Sequence, residues 1–354
     1  MKKKLLFFVQ SEVGGAERVT VTIGKNLEKE SFDVFFYAVG PWKCNIADFI
    51  PSSMFKEHLK YANPLKLLVN LYKTLRRESP DIVFASTMYI NTKLLMLRNF
   101  FPKIKFIVRS ENNFFSFDKK QQIMIRLMYR RADKIIAQTE EMRKELIEKA
   151  KLSQNRVVAI QNPQDFNSIS ALAKEDNPFT DSKKVYYVAS GRFAPAKGFD
   201  ILVMAFAQVL KKIKTAELYI VGRNTDSNEE YYLQIKKQIE NLGLSEKVHC
   251  VGYQKNPYVF VRNADCFVLS SRNEGLPNVL IEALYLGTPA AATTCIPAIE
   301  RIVENGKTGF LAIPENIELL AQAMINAVSL GRVKSKTIKD TIPNFNEIFL
   351  TCEE

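Results

Sequence analysis

Ser270-Ser271-Arg272-Asn273-Glu274-Gly275-Leu276-Pro277-Asn278-Val279-Leu280-Ile281-Glu282-Ala283 decides how this chain is read. The apolar run before it, Phe267–Leu269, has the length of a buried strand, and the residues after Pro277 have helical spacing. Pro277 suits the first helical position. The amides near Asn278 to Leu280 are then expected to be free and to form a phosphate site. Glu274 falls on the loop before the helix and Glu282 more than one turn inside it. Two carboxylates so placed accept hydrogen bonds from two different sets of sugar hydroxyls. A capping box over Ser271 and Glu274 would start the helix near Arg272 and put Pro277 in its interior, at a cost of ~3 kcal/mol. That arrangement is rejected.

Working back along the chain, Gly191-Arg192-Phe193-Ala194-Pro195-Ala196-Lys197-Gly198 follows another apolar run, Val185–Ala189. Its glycines bracket a loop before a helix from Phe199 to Lys212. Arg192 and Lys197 put a forked guanidinium and a compact ammonium where a diphosphate could gather charge as a bond breaks. A surface loop with two ordinary cations is the alternative. Near the start, Val13-Gly14-Gly15-Ala16-Glu17-Arg18-Val19 follows the run Leu5–Val9. Paired glycines admit a ligand close to a helix N-terminus, or simply make a tight turn.

Between these points short apolar runs alternate with amphipathic stretches. Val34–Val39, Ile82–Ala85, Phe106–Val108, Ile135–Ala137 and Val157–Ile160 lie in the first half. Leu218–Val221, Val248–Val251 and Ala290–Ala292 lie in the second. Continuous apolar strands alternating with helices indicate parallel sheets covered on both faces. The fold class is therefore α/β, with two Rossmann-like domains facing each other across a cleft. The expected boundaries are 1–165 for the first domain, 166–184 for a polar linker and 185–335 for the second. The last segment, 336–354, is expected to pack back on the first domain. A length of 354 residues suits two such cores.

Composition excludes several classes. Apolar residues make up 47% and charged residues 25%, as in ordinary globular proteins. No apolar run reaches the ~18–20 residues of a membrane span. Met1 to Val9 reads as a basic lead-in to a buried strand, not a signal peptide. Cys44, Cys250, Cys266, Cys295 and Cys352 are odd in number and form no C-x-x-C, which fits a reducing cytoplasm rather than disulfides or zinc. The chain has no G-x-G-x-x-G and no acidic residue ending the second strand, which argues against a dinucleotide enzyme. The net charge of +12 is lopsided: residues 1–180 hold 30 Lys and Arg against 19 Asp and Glu. A one-sided basic field attracts phosphates, whether nucleic acid, lipid headgroups or a pyrophosphate-linked substrate.

Taken in order, G-G-A-E-R, G-R-x4-K-G, S-x-x-N-E-G-x-P-x-x-x-x-E-A-L and Asn305-Gly306-Lys307-Thr308-Gly309-Phe310-Leu311 resemble a retaining glycosyltransferase of family 4 with GT-B architecture. The resemblance covers nearly the whole chain. It implies that the second domain binds a nucleotide-sugar and the first an acceptor. By this resemblance Arg192 and Lys197 contact the donor diphosphate, and Glu274 contacts the transferred sugar. Gly275, Leu276 and Asn278 lie in the turn whose amides face sugar and phosphate, Glu282 holds the ribose, and Gly15 sits in the loop that closes over the donor. Many relatives carry a histidine after the strand equivalent to Phe106–Val108. Here Arg109-Ser110-Glu111-Asn112-Asn113 stands there, and Arg109, Glu111 and Asn112 are candidates for orienting acceptor hydroxyls. His58 and His249 sit in no motif and read as structural.

The implied activity moves a hexose or N-acetylhexosamine, from a donor linked to uridine diphosphate, to a lipid-linked or polysaccharide acceptor of the bacterial envelope (capsule, O-antigen or lipopolysaccharide). A GDP-mannose-dependent mannosyltransferase is the runner-up. No cofactor is expected, and with no D-x-D anywhere in the chain, no metal. The basic half and Phe100, Phe101, Phe114, Phe115 and Phe117 suggest peripheral contact with an anionic membrane surface at the inner face of the cytoplasmic membrane. Ile123, Met124, Leu127 and Met128 read as core, with Arg126 and Arg130 sharing a face. A nucleic-acid binder is disfavoured because the cations form no recognised module. A silent, partner-binding homologue is disfavoured by the intact Arg192/Lys197 and Glu274/Glu282 pairs.

Overall fold

The computed structural model describes residues 2–40, 44–224, 229–337 and 341–351. Cys352 lies outside them, as does part of the segment 336–354. The chain divides into two compact units, Met1–Gln164 with Asp340–Glu354, and Asp165–Lys339.

The first unit is built on strands β1 (Lys3–Gln10), β2 (Phe32–Val39), β3 (Phe55–Leu59), β4 (Ile82–Ala85), β5 (Lys105–Arg109), β6 (Lys134–Ala137) and β7 (Val157–Ala159). They pair in parallel in the order β3-β2-β1-β4-β5-β6-β7. Side chains alternate with the period of two that a pleated strand imposes. Leu6, Phe8, Tyr37 and Val39 enter one core, and Leu5, Phe7, Phe36 and Ala38 the other. Helices α1 (Gly15–Asn26), α2 (Pro64–Glu78), α3 (Met88–Leu97), α4 (Lys119–Met128) and α5 (Glu140–Glu148) connect the strands. Leu67 and Leu71 of α2, Leu94 of α3, Ile125 of α4 and Leu146 of α5 cover the first face, while Val19 and Ile23 of α1 cover the second.

The second unit begins at Asp165, just before the stretch expected to be a linker, and a helix opens that stretch. Asp165 caps α6 (Phe166–Leu172) by accepting the Ser168 amide, and Phe166 and Ser170 pack and hydrogen-bond to Tyr285. The strands are β8 (Val185–Ser190), β9 (Ala216–Val221), β10 (Val248–Gly252), β11 (Cys266–Leu269), β12 (Ala290–Thr293) and β13 (Gly309–Ala312), and their order is β10-β9-β8-β11-β12-β13. Helices α7 (Phe199–Lys212), α8 (Glu229–Asn241) and α12 (Ile317–Val328) cover one face; α9 (Tyr258–Asn263), α10 (Asn278–Tyr285) and α11 (Pro297–Ile302) cover the other. The last helix, α13 (Ile342–Thr351), belongs to the first unit, where Phe345 and Phe349 complete the face that α1 begins.

Two expectations about the basic half are corrected. Ile123 and Leu127 are exposed, Met124 and Met128 are half-buried with Met128 packed on the core, and Ile125 and Tyr129 are the buried residues of that segment, so α4 turns its Ile125 side inward. Of the phenylalanines, Phe114 and Phe117 are buried in the core, Phe101 packs on Tyr72, and only Phe100 and Phe115 are exposed.

Candidate active site

In each sheet the direction of winding reverses beside the first strand, and ligands of such sheets gather at the carboxyl ends there. In the second unit the reversal lies between β8 and β11. Their following loops are Gly191–Gly198 and Ser270–Pro277, the two stretches singled out above. The loops are stitched together. The Ser270 hydroxyl donates to the Lys197 carbonyl at 2.8 Å, and the Arg272 amide to the Ala196 carbonyl at 2.8 Å. Gly198 makes the approach feasible: its φ is +61°, and a Cβ there would run into the Ser270 carbonyl.

The stitching brings Lys197 to Glu274. The ammonium donates to Glu274 Oε1 at 2.6 Å, and the Ser271 hydroxyl donates to the same oxygen at 2.6 Å. Ser271 thus engages the Glu274 side chain, and α10 starts only at Asn278. Arg192 is exposed on the same loop as Lys197. Cys295, after β12, has its thiol pushed up to about 12 by burial and by the nearby Glu274 charge. It therefore stays a neutral thiol near neutral pH.

Sequence reasoning missed Arg272 as an organiser. Its guanidinium holds Asp200 of α7 through two bonds of 2.7 and 2.6 Å and also pairs with Glu315. Hydrogen bonds to Asp200 raise its pKa further, so it stays charged. Asp200 is in turn held by the Tyr231 hydroxyl at 2.7 Å. The available signal was an acidic residue in the first turn of α7 and an arginine next to the serine pair.

The amides expected to be free at the start of α10 are mostly used. Pro277 occupies the N-cap position rather than the first helical one. The Asn278 amide donates to the Leu276 carbonyl at 2.9 Å and that of Leu280 to the Pro277 carbonyl at 3.0 Å, which leaves Val279 alone of the three. Gly275 and Leu276 are buried, Asn278 and Glu282 half-buried.

In the first unit α1 starts at Gly15 with Gly14 at its N-cap and no side chain capping it. A Cβ on Gly15 would meet nothing within 4 Å, whereas one on Gly14 would strike the Glu17 carboxylate. Arg109 ends β5 but is only 1% exposed, so it lies beneath the loop that it was expected to serve directly. Burial lowers its pKa to about 10, opposed by the charges of Glu111 and Glu17. It donates to Asn162 Oδ1; Asn162 donates to Gln138 at 2.9 Å; and Gln138 donates to the carbonyls of Ser110 and Glu111 at 3.1 and 2.7 Å. This buried chain fixes the loop on which Glu111 and Asn112 stand half-buried. The histidines take structural places: His58 reaches the Gly40 carbonyl at 3.1 Å, and His249 lies against Tyr219.

Residues 13–167 match the model of Glycosyltransferase Family 4, and residues 171–342 that of Glycosyl transferases group 1. An uncharacterized glycosyltransferase of Methanocaldococcus jannaschii is 32% identical over 75% of this chain and 69% of its own length. The N-acetylgalactosamine-N,N'-diacetylbacillosaminyl-diphospho-undecaprenol 4-alpha-N-acetylgalactosaminyltransferase of Campylobacter jejuni is 26% identical over 92% of this chain and 89% of its own. Among solved structures, Anabaena Alr3699/HepE in complex with UDP and glucose aligns over 98% of both chains with a TM-score of 0.83 and 19% identity. With two parallel α/β units and these matches along its length, the chain belongs to the family 4 glycosyltransferases of GT-B architecture.

Proposed function

We propose that the enzyme transfers a hexose or N-acetylhexosamine, with retention of configuration, from a UDP-sugar to a lipid-linked glycan of the bacterial envelope, at the inner face of the cytoplasmic membrane. The observation that carries this reading is the Lys197–Glu274 pair beside the exposed Arg192. Before a donor arrives, the pair keeps both side chains ordered at the strand ends. A bound donor divides them: its diphosphate takes Lys197 and Arg192, and its sugar takes Glu274. As the glycosyl–phosphate bond breaks, charge gathers on the diphosphate, where two preset cations act most strongly. The leaving phosphate then accepts the acceptor's proton. Glu282 holds the ribose, and Gly275, Leu276 and Asn278 shape the turn between sugar and phosphate. Gly15, at the start of α1, is assigned to donor binding, and Glu111 and Asn112 to orienting the acceptor.

Uridine as the carrier is supported by the UDP complexes of the Anabaena protein, and a lipid diphosphate acceptor by the name of the Campylobacter relative. The test is a panel of UDP- and GDP-sugars, assayed for slow donor hydrolysis and for transfer to membrane extracts. A UDP-sugar should be consumed, with excess chelator present. Turnover of GDP-mannose alone would replace the carrier, and no turnover with any donor would overturn the reading.

A further inference from the structure

We propose that Glu17 of the G-G-A-E-R stretch is a positioning residue, a buried carboxylate that joins the Gly14–Gly15 loop to the Ser110–Asn112 loop through Arg109. The inference deepens the proposed function and rests on its assignment of the first loop to the donor and the second to the acceptor. Glu17 lies in the first turn of α1, just past the N-cap Gly14, yet it is only 6% exposed. A solvated helix start would leave such a carboxylate in water. Here it folds back over the loop. A Cβ built on Gly14 would come within 2.5 Å of Glu17 Oε2, and Glu17 Cδ is the only other atom of the described residues within 4 Å, chain neighbours aside. A glutamate at this position reaches back toward amides that have no partner inside the helix. The φ of Gly14 is −133°, which any residue adopts, so glycine stands there for the room it leaves to Glu17.

The same carboxylate acts on Arg109. One turn further along α1, the Thr20 hydroxyl lies 2.5 Å from that of Ser86, just past β4, and β4 separates β1 from β5. The start of α1 is thus seated over the strand ends beside β5, where Arg109 stands. The Nε and Nη1 of Arg109 have no hydrogen-bond partner among the described residues. Burial lowers its pKa, and the charges that oppose this are those of Glu111 and Glu17. Glu111 is half-buried on the acceptor loop. Once Glu111 turns to acceptor hydroxyls, Glu17 is the buried counter-charge that remains, and removing it would strand the guanidinium. Glu17 therefore lies against one loop and steadies the other through Arg109. The bond from Arg109 to Asn162 begins the chain that ends on the Ser110 and Glu111 carbonyls.

The test uses variants of the full chain, matched for folded fraction by circular dichroism and assayed for transfer and for donor hydrolysis. Gly14→Ala pushes the carboxylate off the loop and should lower transfer about tenfold, as for one lost charged hydrogen bond. In a Glu17→Ala background the same substitution has no carboxylate to displace, and should change transfer by less than about twofold. Glu17→Gln keeps an oxygen at the loop and removes the charge facing Arg109, so the ratio of transfer to hydrolysis should fall about tenfold. Combined with Arg109→Met it should lose no more than either single variant, where independent sites would lose about a hundredfold. Equal effects of Gly14→Ala in both backgrounds, independent losses in the second pair, or full transfer in Glu17→Gln overturn the positioning role. A parent that consumes no nucleotide-sugar removes the donor reading instead. The Glu17→Gln and Arg109→Met cycle is then read in urea unfolding, where coupled losses support the pair and additive losses overturn it.

Discussion

Glu274 and Glu282 lie eight positions apart, yet their surroundings differ. Glu274 sits on the loop, held by Lys197 and Ser271, and Glu282 on a half-buried helix face. If Glu282 holds the ribose, it acts on ground state and transition state alike. Glu282→Ala should then raise the donor KM and weaken UDP binding, with kcat little changed. Glu274 meets the sugar where charge develops, so Glu274→Gln should slow kcat and spare UDP affinity. A lost charged hydrogen bond is worth roughly 1.5–3 kcal/mol, about ten- to a hundredfold. Calorimetry with UDP and initial-rate kinetics separate the two; the reverse pattern exchanges their roles. Arg109 calls for a different experiment because its side chain is sealed beneath the loop it steadies. Arg109→Met removes the bond to Asn162 that anchors the Gln138 clamp. Transfer to acceptor should fall by about tenfold while donor hydrolysis stays constant, as for a loss of ~1–1.5 kcal/mol in positioning. A parallel fall in both rates would place Arg109 in general stability rather than in acceptor positioning.

At the scale of elements, α2 is tied to β1 by a cluster at its end. Glu78 accepts from Lys4 at 2.8 Å and from Arg77 at 2.9 Å. The Lys4 bond foremost, against the cost of burial and helped by Arg77 and Tyr37, holds the Glu78 carboxyl down at about 2. A carboxylate depressed in the folded state stabilises it above its ordinary pKa, and that stability is lost as pH falls from about 4.5 toward about 2. Glu78→Gln should cost roughly 1–2 kcal/mol at neutral pH after allowance for solvent screening, and nearly nothing at pH ~2. Urea unfolding at both pH values checks this; an equal cost at each would assign the effect to packing. The central strands were legible in the sequence because burial on both faces leaves only apolar residues in them. Strand β3 was not, since Phe55-Lys56-Glu57-His58-Leu59 is an edge with its charges in water. Strand β13 hid inside the motif around Gly306, and α6 inside a polar stretch whose helix depends on Asp165 and Tyr285. For α4, spacing alone allowed two apolar faces, and packing against α3 chose Ile125 over Ile123. The loops carrying Lys197 and Glu274 were legible because glycines and a proline mark strand ends. The clamp of Arg272 on Asp200 was not, because its partners are 72 residues apart.

The whole chain crosses from the first unit to the second and then returns to the first. Its return is secured by aromatic packing. Phe345 and Phe349 are fully buried, and the Phe349 ring lies 5.9 Å from Phe7, 5.5 Å from Phe84 and 6.2 Å from Phe32. Thr341 adds a hydrogen bond to the Gln161 carbonyl at 2.9 Å, and Lys3 one to the Leu350 carbonyl at 2.9 Å. The first unit's second core is therefore finished only by the last residues of α13. Removing a buried phenylalanine ring costs about 3–5 kcal/mol. Domains of 150–250 residues lose roughly 2–4 °C per kcal/mol. Phe349→Ala should therefore lower the first unit's melting transition by roughly 10 °C. The donor groups proposed here lie mainly in the other unit, whose two cores contain no residue of α13. UDP should raise that unit's transition by mass action in parent and variant alike. Calorimetric scans with and without UDP would show one transition moving with the substitution and the other with the nucleotide. If Phe349→Ala lowered both transitions equally and abolished UDP protection, the two units would melt as one cooperative body, and the C-terminal helix would be a support of the donor site as well.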